Sequence, residues 1–182
     1  MNELVPIANY HRALETFPVR EATLQNGLKI YLRCTVGEYF TEEQIQRLCD
    51  TLRALRFRPV DVSFPWNLCK VVSRRGVMAN RFIPRKNLRK DELAILLYNI
   101  APYALLNRKE TALMAKATFP EFFSSTATIY STFTKYLNAP VTDRGNDIYF
   151  TITNLPYHST VKLEDELIRL SVEYNYTKTF NN

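Results

Sequence analysis

The chain has 182 residues, of which 46% are apolar and 23% charged, and a formal net charge of +6. These values are ordinary for a folded globular protein and exclude a mainly disordered chain. Four glycines are too few for a phosphate-cradling loop, and three cysteines without a C-x-x-C pair argue against a zinc site, so we expect neither a cofactor nor a metal.

The first predicted element is a β-hairpin at residues 22–34. Asn26 and Gly27 form the strongest two-residue turn signal, because both residue types tolerate a positive φ. After this turn, apolar residues alternate with polar ones, as they do in a strand with one buried face. The apolar residues are Leu28, Ile30 and Leu32.

A helix is predicted next, between Thr41 and Pro59. Thr41 and Gln44 form a capping box, in which each side chain accepts a hydrogen bond from the other residue's backbone N–H. The apolar residues that follow recur at helical spacing. Residues 60–64 and 68–83 then have the composition of extended strands. The order β-β-α-β-β predicts a small sheet with one packed helix.

The second half of the chain is predicted to be mainly helical. Three helices are expected: one capped by Asn87 or Asp91 that runs to about Asn107, one at residues 109–118, and one capped by Ser124 or Ser125 that runs to about Leu137. Pro102 should kink the first of them, because proline removes a backbone donor and clashes with the preceding turn. A second β-hairpin is predicted at residues 141–153, and a final helix at residues 161–173 precedes a polar tail that should fray.

This order of elements predicts an α+β fold. One unit, residues 1–84, would hold the sheet and a basic hairpin, and the other, residues 85–182, the helices and the second hairpin. A single continuous core is the alternative. Three helices followed by a hairpin are also the order of a winged helix, whose third helix enters the DNA major groove.

In a winged helix the third helix and the wing would face DNA. The groove-facing residues would be Thr126, Thr128, Ser131, Thr132 and Lys135, with Arg144 at the tip of the wing. The third helix has one cation, whereas base readout normally uses several Arg, Lys, Asn or Gln side chains. The alternative is therefore three packed helices and a hairpin without a role in nucleic-acid binding.

The most distinctive feature of the chain is a basic segment between residues 70 and 90, which has eight Lys or Arg residues and no Asp or Glu. These residues are Lys70, Arg74, Arg75, Arg81, Arg85, Lys86, Arg89 and Lys90. Residues 1–69, in contrast, carry eight charges of each sign. Localised positive charge favours an anionic partner. Nucleic acid, an acidic protein and a solvated surface that prevents aggregation are the three interpretations.

No catalytic constellation is visible in the sequence. His11 and His158 lie near opposite ends of the chain, and nothing pairs either of them with a cysteine. No apolar stretch is long enough to span a bilayer, and no leader peptide is visible. We therefore expect a protein without membrane contact in a reducing compartment, the cytoplasm or the nucleus.

The function predicted from these features is non-enzymatic nucleic-acid binding, in transcription, replication or packaging. The basic segment would contact phosphates, with Lys135 and Arg144 as secondary contacts. The alternative is an interaction or assembly protein, such as an inhibitor, an adaptor or a particle subunit. Such a protein would dock an acidic partner through the same basic face.

Overall fold

The computed structural model describes residues 16–58, 88–138 and 160–180, and every regular element in these ranges is helical. The helices are α1 (Phe17–Val36), α2 (Glu42–Arg56), α3 (Lys90–Ile100), a 3₁₀ helix (Ala101–Ala104), α4 (Arg108–Thr118), α5 (Thr126–Asn138) and α6 (Thr160–Phe180). The α+β prediction is therefore wrong for this part of the chain, which contains no strand.

The predicted hairpin at residues 22–34 is also wrong, because these residues lie inside α1. Gly27 faces α6, and a Cβ atom at this position would lie 2.0 Å from the backbone oxygen of Leu167. The glycine permits a close approach of two helices and does not form a turn. Leu28 and Leu32 are fully buried because α1 is covered over a wide face.

Helix α2 confirms the prediction, including its capping box. Thr41 Oγ1 accepts a hydrogen bond from the backbone N–H of Gln44 at 3.2 Å, and Gln44 Oε1 accepts one from the Thr41 N–H at 2.9 Å. The helix ends at Arg56, three residues before Pro59 in the sequence. A capping box therefore sets the start of α2 as the sequence indicates.

The predicted helix at residues 91–107 is divided into two elements. Helix α3 ends at Ile100, and Pro102 lies in the first turn of the 3₁₀ helix that follows. Leu105 then takes a left-handed conformation, with φ of 58°, before α4 begins at Arg108. Proline thus ends the α-helix instead of kinking it, because it cannot supply the backbone donor that the α-helical pattern needs.

The predictions of the three remaining helices are confirmed with small changes. Helices α4 and α5 lie where they were expected. Helix α6 starts at Thr160 and continues to Phe180, so the segment after residue 173, which we expected to fray, is helical. The predicted strands at 60–64 and 68–83 and the hairpin at 141–153 lie outside the described residues. Without a strand in the described ranges, the winged-helix interpretation has no support.

The helices form two groups that share one core. In the α1–α2–α6 group, α1 packs along α6 and against α2, and the 3₁₀ helix contacts α2 and α6. In the α3–α5 group, the helices α3, α4 and α5 pack on one another. Large rings from both groups are fully buried, among them Tyr31, Tyr103, Phe119 and Phe133. The predicted division of the chain near residue 84 stays a prediction.

Candidate nucleic-acid interface

The structure describes three of the ten residues that we predicted to contact phosphates, namely Arg89, Lys90 and Lys135, and all three are exposed. The other seven lie outside the described residues and are Lys70, Arg74, Arg75, Arg81, Arg85, Lys86 and Arg144. The predicted clustering of all ten on one face therefore stays a prediction.

Arg89 is the least available of the three, because it is paired at the start of α3. Its guanidinium lies 2.9 Å from a carboxylate oxygen of Asp91 and 3.8 Å from one of Glu92. The hydrogen bond from Arg89 holds the pKa of Asp91 below its ordinary value. A phosphate would have to compete with these carboxylates for Arg89, whereas Lys90 and Lys135 make no salt bridge with a described residue.

In the α1–α2–α6 group, the arginines are used inside the fold. The Arg56 guanidinium lies 2.8 Å from Glu21 and 3.1 Å from Glu164, and it donates to the backbone oxygen of Tyr103 at 2.8 Å. It also lies over the Tyr103 ring, 5.0 Å from the centroid. Burial would lower the pKa of Arg56, but its two carboxylate partners raise it above its ordinary value. Arg56 therefore joins three helices and stays charged.

The other arginines of these helices follow the same pattern. Four more are paired with carboxylates of this group: Arg20 with Glu164, Arg33 with Glu42, Arg47 with Glu43, and Arg169 with Glu166 and Glu173. Arg58, just after α2, lies 3.7 Å from Glu110 of α4. Among the side chains described in this group, Lys29 and Arg53 make no salt bridge with a described residue. Most of its positive charge is therefore neutralised locally.

The α3–α5 group differs, because most of its cations have no carboxylate partner. Five of its six cations lack an Asp or Glu oxygen within 4.0 Å among the described residues: Lys90, Arg108, Lys109, Lys116 and Lys135. The carboxylates of this group that are described in salt bridges are paired with Arg89 or Arg58. This group therefore presents positive charge that no described carboxylate neutralises.

One of these cations, Lys109, lines an open groove between α4 and α5, and Arg108 contacts Tyr130, another residue of its lining. The groove has a volume of about 450 Å³ and is lined by Lys109, Ala112, Leu113, Thr126, Ala127 and Tyr130. The Arg108 guanidinium lies over the Tyr130 ring at 5.5 Å from the centroid. Tyr130 is 41% exposed, in contrast to the buried rings of the core. A ring, a guanidinium and an ammonium group therefore meet at one accessible place.

Arg108 also interacts with Tyr98, a tyrosine of the core. Burial raises the pKa of the Tyr98 hydroxyl, and the charge of Arg108 and a hydrogen bond with it act in the opposite direction. The Tyr98 ring packs on Phe133 at 4.9 Å between centroids, so it is anchored in the core. Arg108 therefore interacts with the buried Tyr98 as well as with the exposed Tyr130 ring.

The start of α4 holds both cations of the groove. Asn107 Oδ1 accepts a hydrogen bond from the Glu110 N–H at 2.8 Å, and Glu110 Oε1 accepts one from the Asn107 N–H at 3.0 Å. This capping box fixes the first turn, which carries Arg108 and Lys109. Lys116 follows Lys109 by seven residues, about two helical turns, so both lysines lie on the same exposed face of α4.

The exposed face of α5 has fewer free polar groups than the recognition-helix interpretation requires. Thr128, Ser131 and Lys135 are exposed, and Thr126 and Thr132 are half-buried. The Thr132 hydroxyl donates to the Thr128 backbone oxygen at 3.0 Å, and the Thr128 hydroxyl is 2.8 Å from that of Ser125. These hydroxyls bond within the helix and its cap.

The sequence analysis missed Arg108, Lys109 and Tyr130. A signal was present, because the adjacent cations Arg108 and Lys109 directly follow the possible cap residue Asn107. Two adjacent cations are, however, a weaker signal than the charge excess at residues 70–90. The proximity of Tyr130 could not be read from the sequence, since it depends on how α4 and α5 pack.

The remaining reactive groups do not form a chemical site in the described residues. No group of three or more His, Cys, Asp or Glu residues that could hold a metal ion occurs there. Burial raises the pKa of the Cys49 thiol to about 12, so it stays protonated at neutral pH, and Cys34 is exposed. No described helix has the length and apolar character needed to cross a membrane.

Comparisons with known protein families, with curated proteins and with solved structures found no match. The charges and surfaces of the protein itself are therefore the basis on which a partner is proposed. The expected compartment, the cytoplasm or the nucleus, stays a prediction. The same holds for the absence of enzymatic activity.

Proposed function

We propose that this protein binds nucleic acid through phosphate contacts and catalyses no reaction on it. The observation that supports this proposal most directly is the set of five cations in the α3–α5 group that have no carboxylate partner among the described residues. In the sequence this group directly follows the basic segment, where six more cations occur between residues 70 and 86 without an acidic residue. The sequence thus concentrates positive charge in the middle of the chain.

Cations without a partner are better phosphate ligands than paired ones. A phosphate that binds a paired arginine must first displace a carboxylate, so the gain in charge interaction is small. A free lysine or arginine instead releases a counterion from the nucleic acid, which is the main source of non-specific affinity. Arginine outnumbers lysine in the basic segment, and its planar guanidinium can make two hydrogen bonds to one phosphate.

The roles of the individual residues follow from this argument. Six cations of the basic segment would supply most of the phosphate contacts: Lys70, Arg74, Arg75, Arg81, Arg85 and Lys86. Lys90 and Lys135 would add contacts from the α3–α5 group, with Arg144 as a further contact. Arg89 would contribute less because of its two carboxylate partners. Such a protein could act in transcription, replication or packaging.

The proposal can be tested by fluorescence anisotropy with a labelled DNA duplex and a labelled single strand at several salt concentrations. If about six phosphates are contacted, log K should fall with log salt at a slope of about −5 for duplex DNA. The triple variant R74Q/R75Q/R81Q should roughly halve this slope, because three contacts are lost. Absence of binding by the wild-type protein at low salt would overturn the proposal.

A matched control removes the same amount of charge from the other group. The variant R33Q/R47Q/R169Q also loses three positive charges, but each of these arginines is paired with a carboxylate. It should retain most of the affinity and of the salt slope. If both triple variants lose affinity equally, binding depends only on net charge and the basic segment has no special role.

An acidic protein is the alternative partner, and a competition experiment separates the two. Polyglutamate should displace the labelled duplex poorly, because its carboxylates are spaced about 3.5 Å apart at full extension, whereas duplex DNA carries one phosphate charge per about 1.7 Å. If polyglutamate competes as well as unlabelled nucleic acid at equal charge, the acidic-protein interpretation is favoured instead.

A further inference from the structure

We infer that the groove between α4 and α5 binds an unpaired base of single-stranded nucleic acid, with Tyr130 as the stacking ring and Lys109 and Lys116 as backbone contacts. This inference rests on the proposed function and adds a ligand class and a site to it. The residues of the groove are not among those predicted from the sequence. Three observations support it: the exposed ring of Tyr130, the guanidinium that lies over this ring, and two lysines that have no carboxylate partner among the described residues.

The exposed ring is the first observation. Tyr130 is 41% exposed at the edge of an open groove of about 450 Å³, and the other groove walls include Ala112, Leu113 and Ala127. A groove with small apolar walls and one aromatic side admits a flat, weakly polar ligand. A nucleobase is such a ligand, and stacking on an aromatic side chain tolerates any base because each has a π-face.

The second observation is the guanidinium beside the ring. Arg108 lies over one face of Tyr130 at 5.5 Å from the centroid. A base would therefore stack on the opposite face of the ring or on the guanidinium itself. The guanidinium plane itself is a stacking surface for bases and adds positive charge to the site.

The third observation is charge complementarity along the groove. Lys109 lines the groove and Lys116 lies on the same face of α4, about two turns further along. Neither lysine has a carboxylate partner among the described residues. A strand whose base enters the groove would therefore place its phosphates near ammonium groups that are free to bind them.

A single strand fits this face better than a duplex. Bases in a duplex are stacked on their neighbours and present no free π-face to a protein ring. Reading a duplex would instead require side chains that reach base edges in the major groove, and α5 offers Lys135 and hydroxyls that already bond within the helix. The α4–α5 face therefore predicts a preference for unpaired bases.

The inference can be tested with labelled oligo(dT) of twelve nucleotides and a labelled DNA duplex of the same length. The variant Y130A should lower the affinity for oligo(dT) about tenfold, because one stacking contact is lost. Its affinity for the duplex should change less than about twofold, since phosphate contacts remain. Y130F keeps the ring and should bind oligo(dT) like the wild-type protein.

The matched control is Y174A, which removes a tyrosine of similar exposure, 44%, from α6. Y174A should not change the affinity for oligo(dT). A second readout is photo-crosslinking of an oligonucleotide that contains 5-iodouracil, which should attach to the peptide that carries Tyr130. Denaturation in urea checks that Y130A is folded, so a loss of binding can be assigned to the ring.

The outcomes separate this inference from the proposed function. If the wild-type protein binds both nucleic acids and Y130A affects neither, or both equally, the groove is not the base site while the proposed function stands. If Y130A and Y174A lose the same affinity, the inference is also overturned. If the wild-type protein binds neither ligand at low salt, both proposals are wrong.

Discussion

The two helix groups of this protein use their positive charges in opposite ways. In the α1–α2–α6 group, five arginines are bonded to carboxylates of the same group, and the most buried of them, Arg56, joins three helices. In the α3–α5 group, five cations have no carboxylate partner among the described residues. Of the paired arginines, Arg20, Arg33 and Arg56 link different helices, whereas the five cations of the α3–α5 group face no described carboxylate.

This difference predicts that stability and binding are separable by mutation. Removing a paired, buried charge leaves its partner without compensation, so the fold loses stability. Removing an unpaired, exposed charge leaves no such partner, so only the affinity for an anion should change. Each of the following predictions tests one side of this contrast.

The largest effect is expected for Arg56→Leu. Glu21, whose side chain is 15% exposed, would lose its Arg56 partner, whereas Glu164 would keep Arg20, and an uncompensated buried charge costs about 3–5 kcal/mol. Urea denaturation followed by circular dichroism measures the free energy of unfolding. The double variant R56L/E21Q should recover much of the loss, because it removes the unpaired charge of Glu21 and keeps the pair of Arg20 and Glu164. A loss below 1 kcal/mol for Arg56→Leu would contradict the role assigned to this residue.

The next largest effect is expected for Gly27→Ala. Alanine raises helix propensity by about 1 kcal/mol, but its Cβ would lie 2.0 Å from the backbone oxygen of Leu167. Helix α6 would have to move, and overpacking of this kind costs about 1–3 kcal/mol. We therefore expect a net loss in the free energy of unfolding, as measured by urea denaturation.

The control is at the exposed Ala22 of the same helix, where Ala22→Gly should cost about 1 kcal/mol through helix propensity alone. Stabilisation by Gly27→Ala would show that α1 and α6 are not in close contact.

Gly27 also shows why the fold class could not be predicted from the sequence. Asn-Gly followed by alternating apolar residues is a strong hairpin signal, but this signal is local and covers only a few residues. The physical reason for the glycine is the backbone of Leu167, 140 positions further along the chain. Leu28, Ile30 and Leu32 are all buried although they lie in a helix, because the buried face of α1 is wide. Their alternation with other residues therefore does not mark a strand.

Elements that depend on local chemistry were predicted well. The capping box of Thr41 and Gln44 starts α2, and the ends of α4 and α5 agree with the sequence to within about two residues. The candidate site depends partly on local sequence and partly on tertiary packing. Its cations, Arg108 and Lys109, are adjacent in the sequence, but the ring that they meet, Tyr130, is brought there only by packing.

A smaller effect is expected at the exposed pair of Arg33 and Glu42. The hydrogen bond from Arg33 lowers the pKa of Glu42 below its ordinary value of 4.5. A lowered pKa in the folded state contributes stability above pH 4.5, and this contribution is lost as the pH falls through the pKa of the folded protein. Because the pair is exposed, we expect it to contribute less than about 1 kcal/mol.

Titration of Glu42 by NMR, in the wild-type protein and in R33Q, measures this contribution directly. The pKa of Glu42 should return toward its ordinary value in R33Q, and stability should then depend less on pH below 4.5. An unchanged pKa would show that the helix dipole at the start of α2, and not Arg33, controls this carboxylate.

The smallest effect on stability is expected for the double variant K109Q/K116Q, and it tests the contrast most directly. Neither lysine has a carboxylate partner among the described residues, so the free energy of unfolding should change by less than about 0.5 kcal/mol. The affinity for oligo(dT) should nevertheless fall, and the salt slope should decrease by about 1.4, because two phosphate contacts on a single strand are lost. If instead the double variant unfolds readily while binding is unchanged, these lysines serve the fold, and the division of labour between the two helix groups is wrong.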